Sequence, residues 1–286
     1  MNRPLGLAAA ALTGVQVGLA MVATRAVADQ VGPFTLGLLR YVIGCTVLLP
    51  FFLRTVRPRL NRRDLLPVLL LGIAQFGVLI ALLNAGLQRV SAAQSSVLFS
   101  TFPLITILLG AMLGVERISV ARLLGAALSV SGIALCLGAD TLPSSASGVA
   151  FVLGAAFCGA VCAIFYRPYL QRYPTLQIGT LAMLAAVAAL TPFSLAEAAP
   201  AALAAIPAWA WALIVFIGLS SGAGYVLWLT ALKHAAPSEA TILMGLSPVT
   251  AMLMGWLWLD EPLTAGFAAG LTLVLGGVSL AVMRRR

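Results

Sequence analysis

The sequence predicts an all-α integral membrane protein. It reads as ten transmembrane helices in two inverted five-helix repeats, with both termini cytoplasmic. Three observations predict this. First, 62% of the 286 residues are hydrophobic and 9% are charged, with a mean hydropathy of +1.07. A water-soluble domain cannot bury that much apolar surface, so the solvent is lipid. Second, residues 85–133 recur at 230–278 with a constant shift and no gap. Leu87 aligns with Leu232, Pro103 with Pro248, Gly110 with Gly255, Glu116 with Glu261, Gly125 with Gly270 and Gly132 with Gly277. Third, the basic residues are distributed very unequally between the two ends of the helices.

A crossing needs about 20 mostly apolar residues, and each segment follows in order. Span 5–25 starts after Arg3 and carries Gln16. Its charged start and Ala26-Val27-Ala28 resemble a signal peptide with its cleavage site. The run from Leu5 to Thr24 is too long for a signal core and suits a full crossing. Span 33–53 carries Arg40 and Tyr41, and a basic loop from Arg54 to Arg63 follows. Span 64–86 carries Gln75 and Asn84. Span 91–113 carries Gln94, Ser96, Ser100, Thr101 and Pro103. Span 118–138 is rich in glycine. A link around Pro143 with three serines divides the chain into repeats 1–140 and 141–286. Spans 147–169, 176–196, 208–231, 237–259 and 264–283 complete the second repeat.

Lys and Arg favour the cytoplasmic side. With both termini inside, that side carries Arg3, Arg54, Arg57, Arg59, Arg62, Arg63, Arg117, Arg122, Arg167, Arg172, Lys233, Arg284, Arg285 and Arg286. Only Arg25 and Arg89 fall outside, and Arg40 lies within the membrane. The formal net charge of +9 is therefore a topology signal and not a nucleic-acid footprint. An odd number of helices per repeat makes the second repeat enter from the opposite side. Two such repeats give similar gates on each face of a central site, which is the construction of an alternating-access carrier.

Polar groups inside hydrocarbon are costly and mark a cavity or a helix contact. The candidates are Gln16, Arg40, Tyr41, Gln75, Asn84, Ser96, Ser100, Tyr225 and Trp228, with Ser220, Ser221 and Ser247 at similar depth. They lie mostly on helices 1, 3, 4, 6, 8 and 9. A hydroxyl here has the alternative of bonding its own helix backbone. The amides of Gln16, Gln75 and Asn84 need more partners than a backbone offers. Arg40 sits roughly 10 Å inside its helix by helical rise. It reads either as an anchor for a substrate carboxylate or as a structural Arg that snorkels outward. Tyr166 reads as an anchor near the inner interface, and Trp209, Trp211, Trp256 and Trp258 as an outer aromatic belt. Pro103 and Pro248 read as mid-helix kinks used in gating. Gly125, Gly132, Gly270, Gly276 and Gly277 suit close packing of helices 5 and 10 at the periphery, or a homodimer contact through them.

Other chemistries find little support. Cys45, Cys136, Cys158 and Cys162 lie in apolar stretches without His or acidic neighbours, so they read as packing residues, with no cofactor or metal implied. The single histidine, His234, stands beside Lys233, away from any acid partner that an enzyme would need. No acidic residue sits at mid-membrane. Glu239 is nearest, in the first turn of helix 9, where a carboxylate favours the helix N-terminus.

Several local motifs carry a resemblance. They are Arg25 closing helix 1, Thr35-Leu36-Gly37-Leu38-Leu39-Arg40 opening helix 2, and the Pro103 and Gly110-to-Glu116 pattern. The second copy adds Ala235 to Glu239, Ser247-Pro248 and Leu259-Asp260-Glu261-Pro262-Leu263-Thr264. On these the whole chain resembles the drug/metabolite transporter superfamily, in its bacterial ten-helix EamA-type exporter branch. The first copy departs from the last motif with Glu116-Arg117-Ile118-Ser119. The resemblance implies a bacterial inner-membrane exporter of small metabolites, amino acids including aromatic ones foremost. The lack of a mid-membrane acid favours facilitated diffusion or exchange, with drugs, nucleotides or sugars, moved with protons, as the alternative cargo.

Overall fold

In a computed structural model of the chain, residues 2–54, 60–90, 95, 98–115, 119–137, 145–197, 203–259 and 265–282 are described. All the regular structure among them is helical. The elements are α1 (Arg3–Val27), α2 (Pro33–Arg54), α3 (Arg62–Leu87), α4 (Phe102–Met112), α5 (Val120–Leu137), α6 (Ala146–Arg172) and α7 (Thr175–Glu197). They continue with α8 (Ala208–His234), an interrupted α9 (Pro237–Leu243 and Leu246–Leu259) and α10 (Ala265–Val282). Among the described residues, α1, α2, α3, α6, α7 and α8 are each long and apolar enough to cross a membrane. Large apolar side chains such as Phe51, Leu66, Met112 and Leu195 are exposed on the outside of the bundle. That is the arrangement expected where the surrounding solvent is hydrocarbon.

Short polar signals start the helices. Asn2 caps α1 by accepting from Leu5 N, Asn61 caps α3 through Arg63 N, and Ser145 caps α6 through Gly148 N. Each satisfies a donor that the first turn leaves without a partner. The start of α2 is capped from elsewhere: Glu197, at the end of α7, accepts from Phe34 N and Thr35 N. Its charge also complements the helix dipole.

The packing is the same when the halves are exchanged. α1 lies along α8 and α9, and α6 lies along α3 and α4. α2 packs on α8, and α7 on α3; α2 also meets α7, α4 meets α9, and α5 meets α10. Glycine makes the closest crossings. A Cβ on Gly44 would meet Gly218 O at 3.4 Å, and one on Gly18 would strike Ser247 O. Gly132 faces Gly270 O, and Gly277 faces Gly125 O. The close approach expected of these glycines thus joins α5 to α10 within one chain.

Several expectations change. Pro103 lies in the first turn of α4, and Pro248 is the third residue of the second part of α9. Both prolines open helices, where the missing N–H costs little, and neither kinks a continuous helix. The interruption in α9 falls instead at Met244–Gly245. A hydropathy run cannot reveal a break that is buried in protein. Tyr166 is fully buried inside the bundle, so its side chain faces protein and not lipid headgroups. Ser96, Gln94, Glu116 and Asp260 to Thr264 lie outside the described residues, as do the side chains of Trp256 and Trp258.

Glu239 ties three elements together at one end of the bundle. Its Oε1 accepts from Arg3 of α1 at 3.1 Å and from Arg122 of α5 at 3.2 Å. Its Oε2 accepts from Ala236 N at 3.3 Å. Beside it, Asn2 N donates to His234 Nδ1 at 3.2 Å.

Candidate functional site

A partly open cavity of about 100 Å³ lies between α1, α2, α3, α4, α8 and the break in α9. It is lined by Thr13, Gln16, Met21 and Thr24 of α1, Arg40 and Tyr41 of α2, and Gln75, Phe76, Leu83 and Asn84 of α3. Phe99, Phe102, Ser221, Tyr225, Trp228 and Met244 close it.

Helix geometry explains how side chains reach the cavity. α3 contains a π turn at Ile73–Val78. One extra residue per turn rotates the side chains that follow, and such insertions concentrate at functional sites. Gln75 and Phe76 sit on that turn and both face the cavity. Two thiols of α6 support it: Cys158 Sγ donates to Ala74 O at 3.2 Å, and Cys162 Sγ approaches Leu71 O at 3.9 Å. On α9 the break leaves Met244 at the cavity wall, with Gly245, Ser247 and Pro248 around a small adjoining pocket. Ser100, just before α4, and Phe102 and Pro103 of α4 line that pocket. The helix starts at Pro103 and Pro248 therefore meet at one point beside the main cavity.

Arg40 is 9% exposed, so it does not snorkel outward. Its Nε donates to Ser221 Oγ at 2.5 Å, and its guanidinium lies 5.8 Å from the Tyr41 ring centre. Among the described residues, no carboxylate pairs with it. Its remaining four N–H donors are left to the cavity.

Other polar atoms share this incompleteness. Thr24 Oγ1, Gln75 Oε1 and Trp228 Nε1 are buried without a hydrogen-bond partner in the protein. The Tyr225 hydroxyl lies beside that of Tyr166 and bonds to no other group. Buried polar atoms are normally paired, and a cluster of unpaired ones around a single cavity leaves hydrogen-bonding capacity for its contents. Gln16 Nε2 donates to Ser220 Oγ at 3.2 Å, and Asn84 Nδ2 to Pro33 O at 3.0 Å. Both halves of the chain contribute. Aromatic rings complete the wall: Tyr41 meets Phe76 at 4.8 Å, Phe76 meets Tyr225 at 4.0 Å, and Phe102 meets Trp228 at 6.1 Å.

The structure therefore brings Gln16, Arg40, Tyr41, Gln75, Asn84, Tyr225 and Trp228 to one cavity. Ser100 borders the adjoining pocket, and α6, expected to contribute polar groups, supplies none of the lining. Phe76, Phe99, Phe102, Thr24 and Met244 were not legible as lining residues. Their types are ordinary in a span; the π turn aims Phe76 inward and the α9 break leaves Met244 at the wall.

One solved crystal structure shares this fold, with a TM-score of 0.79 at 22% identity over 98% of this chain and 96% of that one. Among curated relatives, the uncharacterized transporter YdfC of Bacillus subtilis is 28% identical over 98% of this chain and 89% of its own. An uncharacterized transporter of Archaeoglobus fulgidus is 28% identical over 96% of this chain and 98% of its own. A protein of Streptantibioticus cattleyicolor named "Probable terminal-alkyne amino-acid exporter" is 31% identical over 94% of this chain and 90% of its own. The profile of the EamA-like transporter family matches residues 4–138 and, a second time, 146–283. This multi-pass helical membrane protein belongs to the EamA-like transporter family.

Proposed function

We propose that the chain exports small metabolites, foremost amino acids with aromatic and other neutral ones among them, across a bacterial inner membrane. The observation that carries the reading is Arg40. It is a buried cation with no acidic partner among the described residues, open to a cavity of unpaired polar atoms and aromatic rings. A substrate carboxylate fits a guanidinium by paired hydrogen bonds. The substrate's side chain would lie on Phe76, Tyr225 and Trp228, and its amine would donate to Gln75 Oε1. A relative named for amino-acid export supports the same class.

The carrier has ten spans in this reading, as two oppositely oriented five-helix repeats, 1–140 and 141–286, with both termini cytoplasmic. Packing that is unchanged on exchanging the halves, and a family profile that matches twice, support it. Alternating access follows from the halves exchanging conformations around the cavity. Among the described residues no carboxylate lines the cavity, which favours facilitated diffusion or exchange over proton coupling.

Counterflow in proteoliposomes tests the function. Vesicles loaded with unlabelled amino acids should take up labelled ones with saturable kinetics, and only those amino acids that the cavity accepts should exchange. Failure of every amino acid to exchange, from protein shown to be folded, would overturn the substrate class.

A further inference from the structure

Arg40 is fixed from the opposite half of the chain. α2 and α8 approach closely where Gly44 faces Gly218 and Gly222. That contact lets the Arg40 guanidinium reach Ser221, one helical turn from Ile217. Both side chains are buried. The Ser221 hydroxyl donates its single proton to Ile217 O at 2.5 Å. Its oxygen is then an acceptor toward Arg40, and the Arg40 Nε–H points at it at 2.5 Å. The chain of donors runs in one direction, from guanidinium to hydroxyl to backbone carbonyl.

Two consequences follow from the chemistry of the fork. A guanidinium can grip a carboxylate side-on, through Nε and one terminal nitrogen, or end-on, through both terminal nitrogens. Ser221 occupies Nε, so the side-on mode is closed and the end-on pair remains. A neutral acceptor also holds the group without cancelling its charge. An aspartate at 221 would hold it equally well, but it would consume the charge that an incoming carboxylate needs.

We infer that Ser221 is a positioning residue that turns Arg40 into an end-on receptor for a single substrate carboxylate. This rests on reading Arg40 as the carboxylate anchor, and it adds a specificity element from the other half of the chain.

The test is counterflow in proteoliposomes with labelled L-phenylalanine, competed by unlabelled L-phenylalanine or by L-phenylalaninol, which lacks the carboxylate. Wild-type protein should prefer phenylalanine to phenylalaninol by at least about tenfold, the scale of one hydrogen bond to a charged group. Arg40→Gln should abolish that preference. Ser221→Ala should raise the phenylalanine KM about tenfold at unchanged maximal rate and shrink the preference by the same factor. Ser221→Thr, which keeps the hydroxyl, should restore both. Ser221→Asp should lose the preference as fully as Arg40→Gln, at normal folded yield. If Arg40→Gln abolishes the preference and Ser221→Ala leaves it intact, the inference about Ser221 falls and the anchor stands. If wild-type protein shows no preference, the anchor reading fails and takes this inference with it. A role for Ser221 in packing alone would lower yield or maximal rate and leave the discrimination between the two compounds unchanged.

Discussion

Replacing Glu239 by Gln should release one end of the bundle. The carboxylate joins α1, α5 and the first part of α9 through Arg3 and Arg122, and Glu239 itself is buried. Hydrogen bonds to charged groups contribute about 1.5–3 kcal/mol each when buried. Here the two arginine side chains are 32% and 23% exposed. Water screens them, and about 1 kcal/mol for each is the appropriate scale. Glutamine keeps an oxygen for Ala236 N and loses the charge, so the loss is about 2 kcal/mol, a factor of roughly 30 in the equilibrium between tied and released ends. The assay uses protein with its native cysteines replaced and with Met244→Cys at the cavity wall. Labelling by an impermeant thiol reagent is followed from the Glu239 end. The Glu239→Gln protein should label much faster than its parent, by up to that factor. Equal labelling rates, with both proteins folded, would refute the view that this ion pair holds the end closed.

Three further outcomes follow from the geometry. Gly18→Ala places a methyl against the backbone of Ser247 and 3.1 Å from Ala251 N. Overpacking of this kind costs about 1–3 kcal/mol, so the midpoint of thermal unfolding should fall clearly. Gly114→Ala meets nothing within 4 Å and suffers only from a φ of +65°, so its midpoint should fall less; the reverse order would contradict the packing. Deleting Ala74 removes the extra residue of the π turn and lets it close as α-helix, which re-aims Gln75 and Phe76 while the flanking turns keep their register. Exchange should be lost while circular dichroism shows the helix content retained. Tyr225→Phe removes a hydroxyl that bonds to no group outside Tyr166. Yield should hold while KM rises about fivefold, the worth of one neutral hydrogen bond; an unchanged KM would remove this hydroxyl from the site.

The polar lining was legible because a span offers few reasons for a polar side chain. Gln16, Gln75 and Arg40 stand out against aliphatic neighbours, and burying them unpaired in lipid is costly. No comparable signal marks Phe76. It is one of 12 phenylalanines, and its place on the cavity depends on a π turn whose sequence, Ile-Ala-Gln-Phe-Gly-Val, composes equally well as α-helix. The break at Met244–Gly245 was hidden for a related reason. Apolarity continues across it, and the breaks near α4 and α9 shelter each other around Met21 and Pro103. Proline was visible at both places and was misread, because hydropathy gives the extent of a span and not where a helix inside it begins. The glycine stripe of α5 and α10 was legible as close packing, while its partner could be assigned only in three dimensions.

The repeat is faithful in scaffold and unfaithful in chemistry. Glycines and prolines recur in register, yet Asn84 aligns with Leu229. Gln75 and Phe76 align with Ser220 and Ser221, and Tyr225 and Trp228 with Ile80 and Leu83. In the proposed alternating-access cycle, two matching gates would constrain backbone crossings, which glycine sets, and leave the lining free to diverge. The first half supplies the cation and the amides, and the second supplies Ser221, Tyr225 and Trp228. A solute held by Arg40 and stacked on Trp228 would touch both halves at once. In the proposed alternating-access cycle, motion of α2 against α8 would act on the Arg40–Ser221 bond, and the contact proposed to fix the substrate carboxylate would lie between the two halves.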